Sequence, residues 1–328
     1  MDIEKLNEMI QSQSVLITNI QQELKKSIIG QHEMINNILI TLMCKGHALL
    51  EGVPGLAKTK TITSLANCMK LDFKRIQFTP DLLPSDITGT KIYNQQTSEF
   101  STKKGPIFAN IVLADEINRA SAKVQAALLE SMQEKQVTIG EETHMLPDPF
   151  LVLATQNPLE QEGTYPLPEA QLDRFLIKIL IDYPSKKEEL DILNLLENSN
   201  NESPIQEIIS PEQLKEIQSI IPSVYIDEKL KNYIIEIVSA SRSPENHNLK
   251  DIKQLINFGG SPRASINLMN TAKANAVLQK RGYVIPDDIK TMAKPVLRHR
   301  IGISYEAEAE DITSDQIIEK ILNEIDVP

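Results

Sequence analysis

The sequence lacks tryptophan altogether and has few aromatic residues, which make up 4% of its 328 residues. Proteins that bind single-stranded nucleic acid usually stack bases on aromatic side chains, so this shortage argues against such a platform. Cysteine is scarce as well, since only Cys44 and Cys68 are present. Two cysteines in a chain of this length do not make a disulfide framework, and they lack the spacing of a metal site. We expect both thiols to be reduced and packed.

Positive charge is also in deficit, because 34 Lys and Arg residues against 45 Asp and Glu residues leave a net charge of −11. A protein that coats duplex DNA or an anionic membrane needs a basic field, so this charge argues against both functions. No run of about 18 apolar residues is present, and we therefore expect no membrane-spanning helix. The first residues are acidic and have no apolar signal core, which favours a cytoplasmic location.

The chain is long enough for about two domains, and its hydrophobic content of 41% is sufficient for a core in each. Predicted strands alternate with predicted helices up to about residue 184, which indicates an α/β fold with a parallel sheet. Beyond that point the pattern is helical. The predicted parts are an N-terminal helix over 1–26, an α/β core over 27–184 and a helical domain over 185–328.

Three details of the core can be predicted from local patterns. Residues 79–110 are rich in Thr, Ser, Pro and Gly and have a less regular pattern. Residues 137–146 turn at Gly140 and resemble a hairpin. His47 lies at the start of a predicted buried strand and is expected to be a hydrogen-bonded core histidine rather than a metal ligand.

A glycine-rich segment follows the first predicted strand of the core and precedes a helix, which is the context of a phosphate-binding loop. Its backbone N–H groups would surround a phosphate at the positive end of the helix dipole. Lys58 would reach the β and γ phosphates, and the Thr59 hydroxyl would bind Mg²⁺. The alternative is a glycine turn followed by an ordinary surface Lys-Thr pair. The candidate nucleotide-binding residues of this loop are Gly52, Val53, Pro54, Gly55, Leu56, Ala57, Lys58 and Thr59.

One position departs from the usual loop, because Ala57 stands where a glycine normally precedes the lysine. The added methyl group is tolerable if this residue has a helical φ, and it is not if φ is positive.

Polar residues end two further predicted strands. Asp115 and Glu116 follow a continuous apolar run, where Asp115 would hold Mg²⁺ through water and Glu116 would polarise the attacking water. Asn157 ends the strand that starts at Phe150, and its amide could hold that water. The alternatives are a solvated loop start for the two acids and a turn-forming asparagine before Pro158.

Two arginines are candidates for binding phosphate charge. Arg174 precedes a predicted strand and could enter a neighbouring subunit's site, or else pair with Asp173 or Glu169. Arg263 lies in the first turn of a helix capped by Ser261, where a cation opposes the helix dipole. That cost is explained if Arg263 faces a phosphate, and the alternative is a pair with a nearby acid.

Together these motifs resemble the AAA+ ATPases, and within them the MoxR family, over roughly residues 25–300. Ala57 is common in that family. The strings that carry the resemblance are EGVPGLAKT at 51–59, LADEINR at 113–119, LATQNP at 153–158, LPEAQLDRF at 167–175 and SPRA at 261–264.

The resemblance implies an AAA+ core with a five-stranded parallel sheet, a helical lid, and ATP and Mg²⁺ as cofactors. It implies that Ile28, Ile29 and Gly30 line the adenine pocket and that Tyr183 packs near the base. Among the other residues, it implies sensor 1 for Asn157, an arginine finger for Arg174 and sensor 2 for Arg263. It leaves open whether Arg263 acts in cis or in trans, and Arg119 could also lie at the subunit edge.

The resulting hypothesis is a ring-forming ATP hydrolase, expected to be a hexamer, that remodels or matures a protein client, for example in metal insertion. Such a family often acts with a separate protein that carries a von Willebrand factor A domain. The resemblance also implies that residues 79–110 are the insert that this clade carries within its second helix. This insert and the hairpin at 137–146 are candidates for moving or contacting the client.

Two alternatives to this hypothesis are kept. One is a nucleotide-gated scaffold that hardly hydrolyses ATP, although all the catalytic residue types are present. The other is a DNA-translocating relative of the minichromosome maintenance helicases. The net charge and the acidic hairpin tip at Glu141 and Glu142 argue against this second alternative.

Overall fold

The computed structural model of the chain describes residues 3–53, 55–96, 98–157, 163–197 and 204–328. These residues form two compact units, each made of discontinuous parts of the chain. The sheet unit comprises Thr18–Pro168 and Ile179–Lys215. The helical unit comprises the chain up to Ile17, then Glu169–Lys178 and Glu216–Pro328. The domain boundaries inferred from the sequence, near residues 26 and 184, stay a prediction.

The elements follow the chain in the order expected of alternating strands and helices, with a helical second half. The described helices are α1 (Ile3–Leu24), α2 (His32–Met43), α3 (Lys58–Cys68), α4 (Pro84–Thr88), α5 (Ala122–Glu134), α6 (Glu169–Leu172), α7 (Lys186–Glu197), α8 (Pro211–Ile220), α9 (Glu228–Arg242), α10 (Pro262–Leu278), α11 (Pro286–Leu297), α12 (Tyr305–Ala309) and α13 (Ser314–Glu324). The described strands are β1 (Ala48–Glu51), β2 (Phe73–Gln77), β3 (Gly89–Asn94), β4 (Glu99–Lys104), β5 (Ile111–Asp115), β6 (Gln136–Ile139), β7 (Glu142–Met145), β8 (Leu151–Gln156), β9 (Ile177–Leu180), β10 (Ile256–Phe258) and β11 (Gly302–Ile303).

A five-stranded sheet with the order β2-β5-β8-β1-β9 organises the sheet unit. The pairings β2–β5, β5–β8 and β1–β8 are parallel. The first four residues of β5 are fully buried, as expected for a strand covered on both faces. The predicted α/β fold is therefore confirmed. The carboxyl ends of the central strands meet at one edge, where Gln77 pairs with Asp115 and Glu51 pairs with Gln156.

His47 confirms the prediction of a core histidine. Its Nδ1 accepts a hydrogen bond from the N–H of Val152 at 2.9 Å, and its Nε2 lies 3.2 Å from the carbonyl oxygen of Met132. The ring is therefore neutral, with its proton on Nε2, and it joins α5 to β8. Burial lowers the pKa of His47 to about 4. Neither Cys44 nor Cys68 forms a disulfide; Cys44 is half-buried and Cys68 is buried.

The segment at 79–110 contains more regular structure than its less regular sequence pattern suggests. It contains the short helix α4 and the antiparallel hairpin of β3 and β4. The side chains of both strands are mostly exposed, and they include Tyr93 and Phe100, whose rings lie 5.1 Å apart. Neither face of this hairpin is apolar throughout, so the alternation that identifies a half-buried strand is absent from its sequence.

The second hairpin confirms the prediction for residues 137–146, because β6 and β7 pair in an antiparallel register around Gly140. It lies beside the insert hairpin, where Lys91 Nζ is 4.0 Å from Glu142 Oε1.

Capping side chains start two helices of the helical unit, and the cap at Ser261 was predicted from the sequence. Asp227 accepts a hydrogen bond from the N–H of Lys229 at the start of α9, and Ser261 accepts one from the N–H of Arg263 at the start of α10. Such caps satisfy one of the free N–H groups of a first helical turn. The small pair of β10 and β11 is an addition that the apolar pattern of the sequence does not indicate.

Candidate functional site

The glycine-rich loop lies between β1 and α3, as predicted. Gly52 is required by its surroundings, because a Cβ there would lie 2.6 Å from the carbonyl oxygen of Ile181. Gly55 has φ of +87°, a conformation that favours glycine. Lys58 turns back over the loop, and its Nζ donates a hydrogen bond to the carbonyl oxygen of Gly52 at 2.5 Å. Pro54, one of the predicted loop residues, lies outside the described residues.

Ala57 adopts the conformation that the sequence analysis identified as unfavourable for alanine. Its φ is +53° and its ψ is +20°, which is the left-handed helical region. An L-residue with a Cβ atom loses about 1–2 kcal/mol there. The loop therefore holds its shape at a local cost that a glycine would avoid.

Replacing Ala57 by Gly is expected to raise the free energy of unfolding by about 0.5–1 kcal/mol, since relief of the left-handed strain exceeds the extra unfolded-state entropy of glycine. Urea denaturation followed by circular dichroism measures this change. The matched control is Ala126→Gly, at an exposed position inside α5. This control should lower stability by about 1 kcal/mol, and a loss of stability in both variants would contradict the strain at Ala57.

Asp115 and Glu116 lie at the carboxyl end of β5, and hydrogen bonds hold both. The hydroxyl of Thr155, near the end of β8, donates to Asp115 Oδ1 at 2.6 Å and accepts from the N–H of Glu116 at 2.8 Å. Glu116 has φ of +56°, so the chain turns sharply directly after the strand. Glu116 Oε2 also lies 3.2 Å from Nε of Arg119.

Arg75 and Gln77 are site residues that the sequence analysis missed. Arg75 Nε donates to Asp115 Oδ2 at 2.9 Å, and its Nη2 contacts the same oxygen and Gln77 Oε1. Gln77 Nε2 donates to Glu116 Oε2 at 2.8 Å. These two side chains of β2 therefore hold the two acids of β5. The sequence alone does not show that β2 lies next to β5, and it is the parallel register of the two strands that brings both side chains to this edge.

A cavity of about 380 Å³ opens at this edge of the sheet. We call it the edge cavity. It brings together the predicted residues of the loop, of β5 and of β8. Its lining residues are Gly52, Gly55, Leu56, Ala57, Lys58, Thr59, Lys60, Arg75, Asp115, Glu116, Thr155, Gln156 and Asn157.

The electrostatics of the edge cavity combine cations and carboxylates. Burial lowers the pKa of Lys58, and the charges of Asp115, Glu116 and Glu51 act in the opposite direction. The N-terminus of α3 adds a partial positive charge at the loop. Such a site can bind an anion at the loop and a divalent cation beside the carboxylates.

A second cavity, of about 220 Å³, lies beside the loop in the same unit. It is lined by Ile28, Ile29, Pro184 and residues of α7, and it shares Leu56 and Ala57 with the edge cavity. Gly30 approaches α7 closely, since a Cβ there would lie 2.6 Å from Glu188 Oε1. Tyr183 is 70% exposed and is not among the residues that line this cavity.

The two candidate arginines belong to the helical unit. Arg174 is exposed and lies two residues after the end of α6. Arg263 lies in the first turn of α10, as predicted, and its Nη1 is 3.8 Å from Asp173 Oδ2. The alternative of a pair with a nearby acid is therefore realised for Arg263.

Among the described helices, none is both long enough and apolar enough to cross a membrane.

Two segments of the chain match known families. Residues 47–177 match the ATPase family associated with various cellular activities (AAA). Residues 249–321 match the AAA lid domain. The first match contains the loop and both strand ends of the edge cavity, and the second contains Arg263.

Individual proteins are similar over nearly the whole chain. Chaperone MoxR1 of Mycobacterium tuberculosis is 46% identical over 93% of this chain and 81% of its own length. YeaC of Bacillus subtilis is 48% identical over 94% of this chain and 93% of its own length. A crystal structure of a protein from Cytophaga hutchinsonii is 52% identical, covers 100% of this chain and 99% of that chain, and superposes with a TM-score of 0.93.

Proposed function

Because this chain belongs to the MoxR family of AAA ATPases and is an ATP hydrolase, we propose that it binds and cleaves ATP in the edge cavity. The observation that carries the proposal is the meeting of Lys58, Asp115, Glu116 and Asn157 around one cavity. These residues come from the loop after β1, from the end of β5 and from the end of β8. The family's chemistry requires all of them near one triphosphate.

The loop and Lys58 would hold the phosphate groups. The backbone N–H groups at the start of α3 point out of the helix end and carry its partial positive charge. Lys58 adds a full charge at the same place. The second cavity, with Ile28 and Ile29, would take the adenine, since its walls are mostly apolar side chains. Tyr183 is proposed only as a neighbour of the base.

The donor set fits Mg²⁺, which prefers oxygen ligands and keeps several waters. Thr59 offers a hydroxyl and Asp115 a carboxylate on the walls of the same cavity. A bound Mg²⁺ would neutralise charge on the β and γ phosphates. Thr155 and Arg75 hold the Asp115 carboxylate in place for this task.

Glu116 would orient and polarise the attacking water. Gln77 and Arg119 both contact its Oε2, so its carboxylate is held in place. Asn157 lines the same cavity at the end of β8, where its amide would hold the water from a second side.

Arg174 would complete the site of a neighbouring subunit, and Arg263 would also act on phosphate charge, in cis or in trans. This arrangement requires a closed ring of subunits, for which we propose a hexamer. The exposure of Arg174, two residues after the end of α6, is consistent with this role.

ATP hydrolysis would remodel a protein client, as the name of the chaperone MoxR1 suggests for that relative. The two neighbouring hairpins are the proposed contact, since they expose Phe100 and Met145 at 69% and 67%. A separate partner with a von Willebrand factor A domain and a role in metal insertion belong to the same proposal.

Replacing Lys58 by Ala is expected to weaken ATP binding by at least about 100-fold, because a half-buried charge at the phosphate loop is lost. Isothermal titration with ATP and Mg²⁺ measures the change. The matched control is Lys123→Ala, which removes an exposed lysine of α5 and should leave the affinity as it is. Equal affinities in the two variants would place the nucleotide elsewhere.

A further inference from the structure

The carboxylate of Asp173 contacts Arg300 and Ser261 and lies close to Arg263 in the helical unit. Asp173 directly precedes Arg174. Its Oδ1 accepts a hydrogen bond from Arg300 Nε at 2.8 Å, and its Oδ2 accepts one from the hydroxyl of Ser261 at 3.1 Å. Oδ2 also lies 3.8 Å from Nη1 of Arg263. One side chain thus contacts the helix that carries Arg263 while its own backbone continues into Arg174.

Arg300 is the buried anchor of this arrangement, with 3% of its surface exposed. Its Nη2 donates to the carbonyl oxygen of Asp173 at 3.1 Å, and its Nη1 donates to that of Leu176 at 3.1 Å. It contacts the carbonyl oxygens of Phe175 and Val296 as well. A guanidinium has five donors in a rigid plane, so these contacts fix the backbone on both sides of Arg174.

Ser261 connects this anchor to α10. Its hydroxyl donates to Asp173 Oδ2 and accepts from the N–H of Arg263 at 3.1 Å. The hydroxyl therefore caps the helix and, at the same time, ties the first turn of the helix to Asp173. This one oxygen therefore connects the Arg263 backbone to the carboxylate of Asp173.

We propose that Asp173 and Ser261 form a positioning link that makes Arg174 and Arg263 move as one element. The inference rests on the proposed roles of the two arginines at phosphate groups. A shift of Arg263 when its phosphate is released would displace Arg174, and with it the charge offered to the next subunit. With Arg263 acting in cis, the link gives the ring a route from one nucleotide to the next; with Arg263 acting in trans, it holds both arginines at the same nucleotide.

The link is best tested at Ser261, because removal of Asp173 would leave the buried charge of Arg300 unpaired. Ser261→Ala removes the tie and a helix cap. Ser304→Ala is the matched control, since Ser304 caps α12 of the same unit by accepting from the N–H of Ala307. Ser261→Thr keeps a hydroxyl and should restore the link.

Two measurements are made on each full-length variant: backbone hydrogen exchange of residues 169–176 and the kcat and KM for ATP. In Ser261→Ala, exchange in this segment should rise and kcat should fall, each roughly tenfold, as expected for loss of a hydrogen bond to a charged group. Ser304→Ala and Ser261→Thr should match the unaltered protein. In an Arg174→Ala background, Ser261→Ala should lower kcat no further, since coupled residues are not additive.

The link would be overturned if exchange at 169–176 were the same in Ser261→Ala and Ser304→Ala. It would also be overturned if Ser261→Ala lowered kcat equally with and without Arg174. The link and the role of Arg174 can fail separately. Faster exchange in Ser261→Ala, together with full turnover in Arg174→Ala, would keep the link and remove the proposed role of Arg174.

Discussion

Replacement of Arg174 by Ala is expected to lower ATP turnover by about 10³- to 10⁵-fold, the range over which an arginine supplied to a phosphoryl-transfer site acts. The guanidinium would offset charge that develops on the transferred phosphate, so it stabilises the transition state far more than bound ATP. The affinity for ATP should therefore change little. Steady-state phosphate release and a binding titration on the same protein measure the two quantities.

Subunit mixing tests whether Arg174 acts across an interface. Arg174→Ala subunits should bind ATP but lack the arginine, and Lys58→Ala subunits should supply the arginine but bind ATP at least about 100-fold more weakly. A mixture should regain activity that neither variant has alone, and turnover per subunit should rise with protein concentration. Arg242→Ala, at an exposed position in the last turn of α9, is the control. Full turnover in Arg174→Ala would remove the proposed role.

Glu116→Gln is expected to lower turnover by about 10²- to 10⁴-fold, the usual contribution of a general base. The amide keeps the size of the carboxylate and can still contact Gln77, but it polarises water poorly. ATP should therefore remain bound and uncleaved. Single-turnover measurements with labelled ATP, followed by recovery of the bound nucleotide, distinguish this trap from a loss of binding.

The control for this trap is Glu130→Gln, which alters an exposed glutamate of α5. It should hydrolyse ATP at the normal rate. If Glu116→Gln released phosphate as fast as this control, another group would have to align the water. Client proteins retained by the Glu116→Gln trap would identify what the hairpins contact.

The sequence was informative wherever a local pattern coincides with a structural requirement. The apolar run before Asp115 predicts a strand covered on both faces, and the glycines at 52 and 55 allow the close approach and the positive φ of the loop. Ser261 marks the start of α10 as its cap. Each of these signals lies within a few consecutive residues, and it can therefore be recognised without knowledge of the fold.

The rest of the site depends on contacts between distant parts of the chain. Arg75 looks like an ordinary exposed residue of an alternating strand, and only the parallel register with β5 brings it to Asp115. Arg300 reaches Asp173 across more than a hundred residues. The backbone conformation of Ala57 could not be predicted for a different reason. The sequence does not determine the sign of its φ, and in the structure the turn places it in the left-handed region.

The hairpin of β3 and β4 has few buried side chains and places its rings in solvent. Substitutions of the exposed side chains in this hairpin should therefore change the free energy of unfolding by less than about 0.5 kcal/mol, as is usual for exposed positions away from special features. Under the proposed function, new side chains on this hairpin would change which client is recognised and leave the residues of the edge cavity as they are. Selection could then act on client recognition and on ATP cleavage separately.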